Sequence, residues 1–224
     1  MDYEPIFWDI ETTGLNPMQQ EWWSNAEQDA QVICVGIGML TEWRDDPNQA
    51  NKHIDIVAGN SEYNVIQRTK ETLESVIRDV EGPDKLGEVS FSDDTEPFFV
   101  GWNSRQFDHP YYCARAGRLR LDPWPFGHDF RRLDMQRAVY NHTGRHWSQD
   151  DYADHLEVGR EEDIEGSEVP QLFLNGRLDI IKRHCRLDVE DMMDIFLEER
   201  EVFMGEFDDH YSDVDPQTRF VEQI

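Results

Sequence analysis

Apolar positions fall into short blocks separated by acidic and polar stretches. Pro5–Ile10 (PIFWDI) is an apolar run that closes on acids, as a buried first strand would. Gly14, Asn16 and Pro17 break it, and a polar insertion carrying Trp22 and Trp23 leads to Val32–Leu40 (VICVGIGML), a second buried strand. His53–Val57 alternates and predicts a third. From Tyr63 to Val80, apolar side chains recur at helical spacing (Val65, Ile66, Leu73, Val76, Ile77), and Gly82 and Pro83 end the pattern. An acidic loop to Glu96 precedes a fourth strand, Phe98–Trp102, and a helix over Pro110–Leu119. Pro123, Pro125 and Gly127 mark a turn before a short segment to Asp134 that can form a strand. Ser148 is placed to cap a helix through Leu156. Gly159–Pro170 reads as charged loop, Leu178–Phe203 as one long helix, and the stretch from Gly205 as a mobile acidic tail. This order predicts an α/β domain with a mixed sheet over residues 1–204, followed by a tail over 205–224.

Composition narrows the class. The chain is 38% hydrophobic and 12% aromatic, which describes a folded protein and not a disordered acidic one. No apolar run approaches the ~18 residues of a membrane span, and the N-terminus lacks a signal pattern, so a soluble cytoplasmic protein is expected. Cys34, Cys113 and Cys185 are odd in number and form no CxxC pair. They read as small buried residues, not as disulfides or a zinc site.

Charge is the unusual feature: 48 acidic residues stand against 21 basic ones, a net charge of −27, with Lys52, Lys70, Lys85 and Lys182 the only lysines. Such a surface repels nucleic acid in dilute buffer, but molar salt shortens the screening length to ~3 Å. Acid-rich, lysine-poor surfaces resemble those of haloarchaeal proteins, which points to a haloarchaeon or its virus. The acidity is uneven. Between Arg105 and Arg145, eight arginines face four aspartates. Phosphate contact and pairing with neighbouring carboxylates explain that excess equally well.

Asp9 and Glu11 stand at i and i+2 at a strand end, so both project from one face. Adjacent carboxylates repel unless a cation lies between them, and an oxygen-only donor set suits Mg²⁺ or Mn²⁺. In so acidic a chain the D-x-E pair alone is weak evidence, because a solvated strand end accounts for it as well.

The surrounding residues carry more. Asp9–Leu15 (DIETTGL) resembles the first motif of the DEDD exonuclease superfamily, which includes polymerase proofreading domains. Gly101–Asp108 (GWNSRQFD) resembles its second motif, and His184-Cys185-Arg186-Leu187-Asp188 its third. The motifs occur in order, on a strand, a strand–helix junction and a helix. The resemblance runs from about Ile6 to Leu197 and, through WSQDDYADHLEV, is strongest to small stand-alone nucleases related to the exonuclease domain of family B DNA polymerases.

That resemblance implies an RNase H-like fold and a 3′→5′ exonuclease hydrolysing single-stranded nucleic acid, DNA rather than RNA, with two Mg²⁺ or Mn²⁺ ions. It gives Asp9 a place between both ions, Glu11 and Asp188 the site that activates water, and Asp108 support of the second ion. Thr12 and Thr13 backbone groups would hold the 3′ hydroxyl and Leu15 would wedge beside the terminal base. Asn103 and Phe107 would line the strand's path, with core packing the better reading of Phe107. Asp134 and Asp191 read as caps or helix surface, and Trp22 and Trp23 as stacking or buried rings.

His184 departs from the pattern. The superfamily places Tyr with three residues before the Asp, or His with four; here a histidine takes the tyrosine spacing. At i, i+4 the two side chains lie about 40° apart on a helix, against about 140° at i, i+5. His184 is therefore expected to orient the attacking water in the tyrosine's place and to accept its proton. An exoribonuclease, and a non-catalytic module binding nucleic acid or a polymerase, are the competing expectations. Any polymerase or replication partner would be a separate chain, and Pro216–Ile224 is assigned none.

Overall fold

The computed structural model describes residues 2–13, 30–44, 47–78, 95–123, 131–160 and 164–211. Leu15, Trp22 and Trp23, and the last thirteen residues of the expected tail, lie outside them. Five strands form one mixed sheet in the order β3-β2-β1-β4-β5. They are β1 (Asp2–Thr12), β2 (Val32–Thr41), β3 (Asn51–Ala58), β4 (Thr95–Gly101) and β5 (Arg131–Asp134). β1–β2 and β2–β3 are antiparallel, and β1–β4 and β4–β5 are parallel.

The period of two in β1 decides which side chains meet which layer. Ile6, Trp8 and Ile10 pack with Val35, Ile37 and Phe99 beneath helices α1 (Glu62–Arg78) and α2 (Asp108–Arg118). Phe7 points to the other face, into a core with Leu133, Val189, Met192 and Phe196. That second face is covered by α3 (Met135–Thr143), α4 (Gln149–His155), α5 (Val169–Leu174), α6 (Leu178–Glu198) and α7 (Arg200–Tyr211). Asp9 and Glu11 share the parity of Phe7, so they too face the α6 side.

Cys34, Gly36 and Gly38 line the same face of β2, and the two glycines let α6 lie close against the sheet. A β-carbon on Gly36 would stand 2.6 Å from Val189 Cγ2 and 3.2 Å from the Cys185 carbonyl; one on Gly38 would stand 2.6 Å from Val189 Cγ1. On the opposite face, Glu62 at the start of α1 accepts from the Val32 N–H at 2.8 Å and holds the buried Arg115 guanidinium of α2 at 2.5 and 2.7 Å.

Three expectations from the hydrophobic pattern need correction. α3 and α5 were not expected, because each is short and shows only a few apolar positions. α3 is instead fixed at its ends, by the Asp134 cap and by Gly144 at φ 70°. The long C-terminal helix is two helices: the chain turns at Glu199 so that Phe203 stacks on Phe196, with centroids 5.9 Å apart. α7 then runs through Gly205 to Tyr211, so residues 205–211 are helical and not tail. Among the described residues, no helix is long and apolar enough to cross a membrane.

Candidate metal and catalytic site

The end of β1, the start of α2 and the middle of α6 bring the expected residues together. Ligand atoms of Glu11, His184 and Asp188 lie within 4.8 Å of one another, as do those of Asp9, Glu11 and Cys185. His184 Nε2 sits 3.4 Å from Glu11 Oε1 and 3.6 Å from Asp188 Oδ2. His184 is 7% exposed, and the i, i+4 spacing does place both side chains toward Glu11. These acidic clusters have the donor atoms to bind a metal ion.

Asp108, the first residue of α2, is buried, and its carboxyl is held well above the usual range. Burial is the largest cause, followed by the Asp9 charge, with Asp134 adding to it. Asp108 thus lies in the field of Asp9, although it is in neither of the close groups. Anions crowded this way are a poor arrangement until a counter-charge joins them.

The loop before α2 is tied down by Asp134, which is also the helix cap that its sequence position allows. Its carboxylate caps α3 through the Arg137 N–H at 3.2 Å and accepts from the Arg105 N–H at 3.1 Å. Burial pushes its pKa up while these backbone donors pull it down. Asp134→Ala is expected to cost about 1–2 kcal/mol, as loss of a helix cap does, measured as a shift of the denaturant midpoint. Asp134→Asn should recover only part of that stability, since Oδ1 accepts from Arg137 and Oδ2 from Arg105, and an amide keeps a single acceptor oxygen.

Other expected residues fare differently. Asn103 sits in this loop with φ 55°, and its carbonyl accepts from the Gln106 and Phe107 N–H groups. The Phe107 ring stacks on Tyr111, centroids 5.8 Å apart, and packs against the core, which agrees with the packing role. The Thr13 N–H, expected for a 3′ hydroxyl, is directed at the Gln31 carbonyl at 2.9 Å, and Thr12 pairs with Val32. Both threonines continue the β1–β2 ladder. Asp191 is not helix surface: it is 3% exposed and bonded to Arg160, which also binds Asp194. Of the arginine-rich stretch, Arg115 is buried against Glu62, and Arg105 donates to the Arg132 carbonyl at 2.7 Å.

No known family profile and no curated protein sequence matches the chain. Solved structures do. The family B DNA polymerase of Pyrobaculum calidifontis superposes with a TM-score of 0.54 at 14% identity, over 89% of this chain and 24% of the polymerase. A moderately thermophilic exonuclease I from Methylocaldum szegediense gives 0.54 at 11% identity, over 93% of this chain and 43% of that enzyme. An exonuclease I in its apo form gives 0.50 at 14% identity, over 95% and 45%. The fold is RNase H-like.

The chain therefore spans about a quarter to under half the length of these structures. In its RNase H-like frame two further residues reach the site. Cys185 is buried beside Asp9 and Glu11, and its thiol is pushed up, chiefly by its hydrogen bond with Cys34 and then by burial. Its burial agrees with its reading as a small buried residue, and its i, i+3 relation to Asp188 is the local signal that it adjoins the site. Gln149, at the start of α4, donates to the Asp188 carbonyl at 2.8 Å. Nothing in its local sequence marks that contact.

Proposed function

We propose that the protein is a metal-dependent 3′→5′ exonuclease that hydrolyses single-stranded nucleic acid, DNA rather than RNA. The observation that carries this reading is the convergence of Asp9, Glu11, His184 and Asp188 from β1 and α6, with Asp108 in the field of Asp9. The three sequence motifs support the direction of cleavage, and the likeness to exonuclease folds supports the class of reaction.

The donor set fits a hard divalent cation: carboxylate oxygens crowd together, and Asp108 resists ionising among them. Asp9, Glu11, Asp108 and Asp188 would hold Mg²⁺ or Mn²⁺. When bound, such ions stabilise charge on the attacking and leaving oxygens of phosphodiester hydrolysis. His184 Nε2, between the Glu11 and Asp188 carboxylates, orients the attacking water and takes up its proton. Those two carboxylates then stabilise the imidazolium. Asp134 keeps the Asn103–Asp108 loop in register with β5, so Asp108 enters the site at the first turn of α2. Asn103 borders the strand's path from the same loop.

The test is digestion of 5′-labelled single-stranded DNA and RNA with Mg²⁺, Mn²⁺ or EDTA, from low salt to molar KCl. A ladder shortening from the 3′ end, dependent on metal and abolished by EDTA, is the expected result, with DNA cleaved faster than RNA. Intact substrate at every salt and metal concentration would instead favour a non-catalytic binding module.

A further inference from the structure

A cavity of about 390 Å³ opens next to His184, on the side away from the core. One wall is a single face of α6: Ile180, Arg183, His184 and Leu187 follow the i, i+3, i+4, i+7 spacing. Ile164, just before the short 3-10 turn at Gly166–Glu168, also lines the cavity, and Arg177 and Asp179 stand at the N-terminal end of α6. Two guanidiniums and three aliphatic side chains thus surround a space that falls within the ~300–1,000 Å³ of small-ligand sites.

The chemistry of the lining is selective. The whole chain carries a net charge of −27, yet this cavity holds two arginines against one aspartate. Arg177 lies 3.3 and 3.4 Å from the Asp179 oxygens, which steadies its guanidinium at the end of the cavity. Arg183 is exposed on the helix face that also bears His184. A planar guanidinium suits a phosphate, and aliphatic walls suit the face of a base. His184 lines both the cavity and the carboxylate cluster, so an occupant of one adjoins whatever is bound in the other.

We propose that this cavity is a nucleotide subsite. It takes the base of one nucleotide of a single strand between Ile164, Ile180 and Leu187, while Arg183 grips the phosphate next to the bond cleaved at the carboxylate site. The position of that phosphate rests on the proposed exonuclease function; the binding itself does not. The subsite gives an acidic protein a local foothold for a polyanion, and it holds the strand on the His184 side of the metal ligands.

Binding and cleavage are measured separately. The full chain is titrated with 5′-fluorescein oligothymidylate and oligouridylate in Ca²⁺, following anisotropy at several KCl concentrations, and hydrolysis is then measured in Mg²⁺. Arg183→Ala should weaken binding about tenfold and lower the slope of log K against log salt by about one, the signature of one lost phosphate contact. Arg183→Lys should keep the slope, Arg183→Glu should bind worse than alanine, and the neutral Ile180→Asn should weaken binding with the slope unchanged. In hydrolysis, Arg183→Ala should raise KM and leave kcat near the wild-type value. Arg183 is exposed, and unchanged melting of its variants confirms that they fold. Wild-type affinity and slope in Arg183→Ala and Arg183→Glu would overturn the subsite, as would a wild-type chain that binds neither oligonucleotide. Arginine-dependent binding without hydrolysis would keep the subsite and remove the exonuclease.

Discussion

Asp188→Ala is expected to lower the rate of 3′-end cleavage by on the order of 10³-fold or more while leaving the fold intact. The size follows from the chemistry: loss of a ligand removes charge stabilisation at both reacting oxygens, and each ~1.4 kcal/mol of it is tenfold in rate. The side chain is half-buried and belongs to the carboxylate cluster, so the loss falls on the site and not on the apolar core. Asp9→Asn should lose activity similarly and remove one cause of the raised Asp108 pKa. Thermal melting gives a second readout. Mg²⁺ should raise the wild-type melting temperature by mass action and should raise that of Asp188→Ala less. Near-normal turnover in Asp188→Ala, or an equal Mg²⁺ effect on both proteins, would sink the assignment.

The second large effect is expected at a residue with no side chain, the cross-strand partner of Asp9. Gly36→Ala places a methyl 2.6 Å from Val189 Cγ2 and 3.2 Å from the Cys185 carbonyl, so α6 must move away from β2. Overpacking of this kind costs about 1–3 kcal/mol. Because α6 carries His184 and Asp188, the same displacement separates them from Glu11 on β1. A shift of about 1 Å at a reacting centre can cost on the order of 10²-fold in turnover. Gly36→Ala should therefore lower both the denaturant midpoint and kcat. Adding Val189→Ala should restore part of each, since the tightest contact is with that side chain; a double-mutant cycle measures the coupling. Full stability and turnover in the single variant would show that the helix tolerates the methyl.

These two predictions differ in how far the sequence reveals them. Asp9, Glu11, Asp108 and Asp188 could be named from three short motifs, because metal-dependent phosphoryl chemistry restricts residue type and spacing within each motif. The His184 spacing was equally legible: i, i+4 on one helix face is local geometry. Gly36 and Gly38 read only as small residues in a buried strand. Their partners Cys185, Val189 and Met193 lie some 150 residues away along the chain, and no local pattern announces a contact at that separation. Asp134 could be read as a cap, but its second contact and the burial of Asp191 could not. In a chain with 48 acids an aspartate is unremarkable until its surroundings are known. Only the fold shows Asp134 also holding the Arg105 loop, and Asp191 buried on Arg160.

The secondary structure follows the same division. The four longer strands and the helix from Glu62 are set by period-2 and period-3.6 patterns longer than the errors at their ends. The short helix α3 depends on its Asp134 cap, and the break at Glu199 on Phe203 returning to Phe196.

By itself, the sequence determined the order of the strands and longer helices, the parity that puts Asp9 and Glu11 on one face of β1, and the acids available to a cation. The tertiary structure alone decided that this face is the one α6 covers, that two glycines let the helix approach, and that a cavity bearing Arg177 and Arg183 opens beside His184. The physical reason is range. Periodicity and motif spacing are properties of neighbouring residues, whereas close approach and charge crowding arise only when distant segments share one volume.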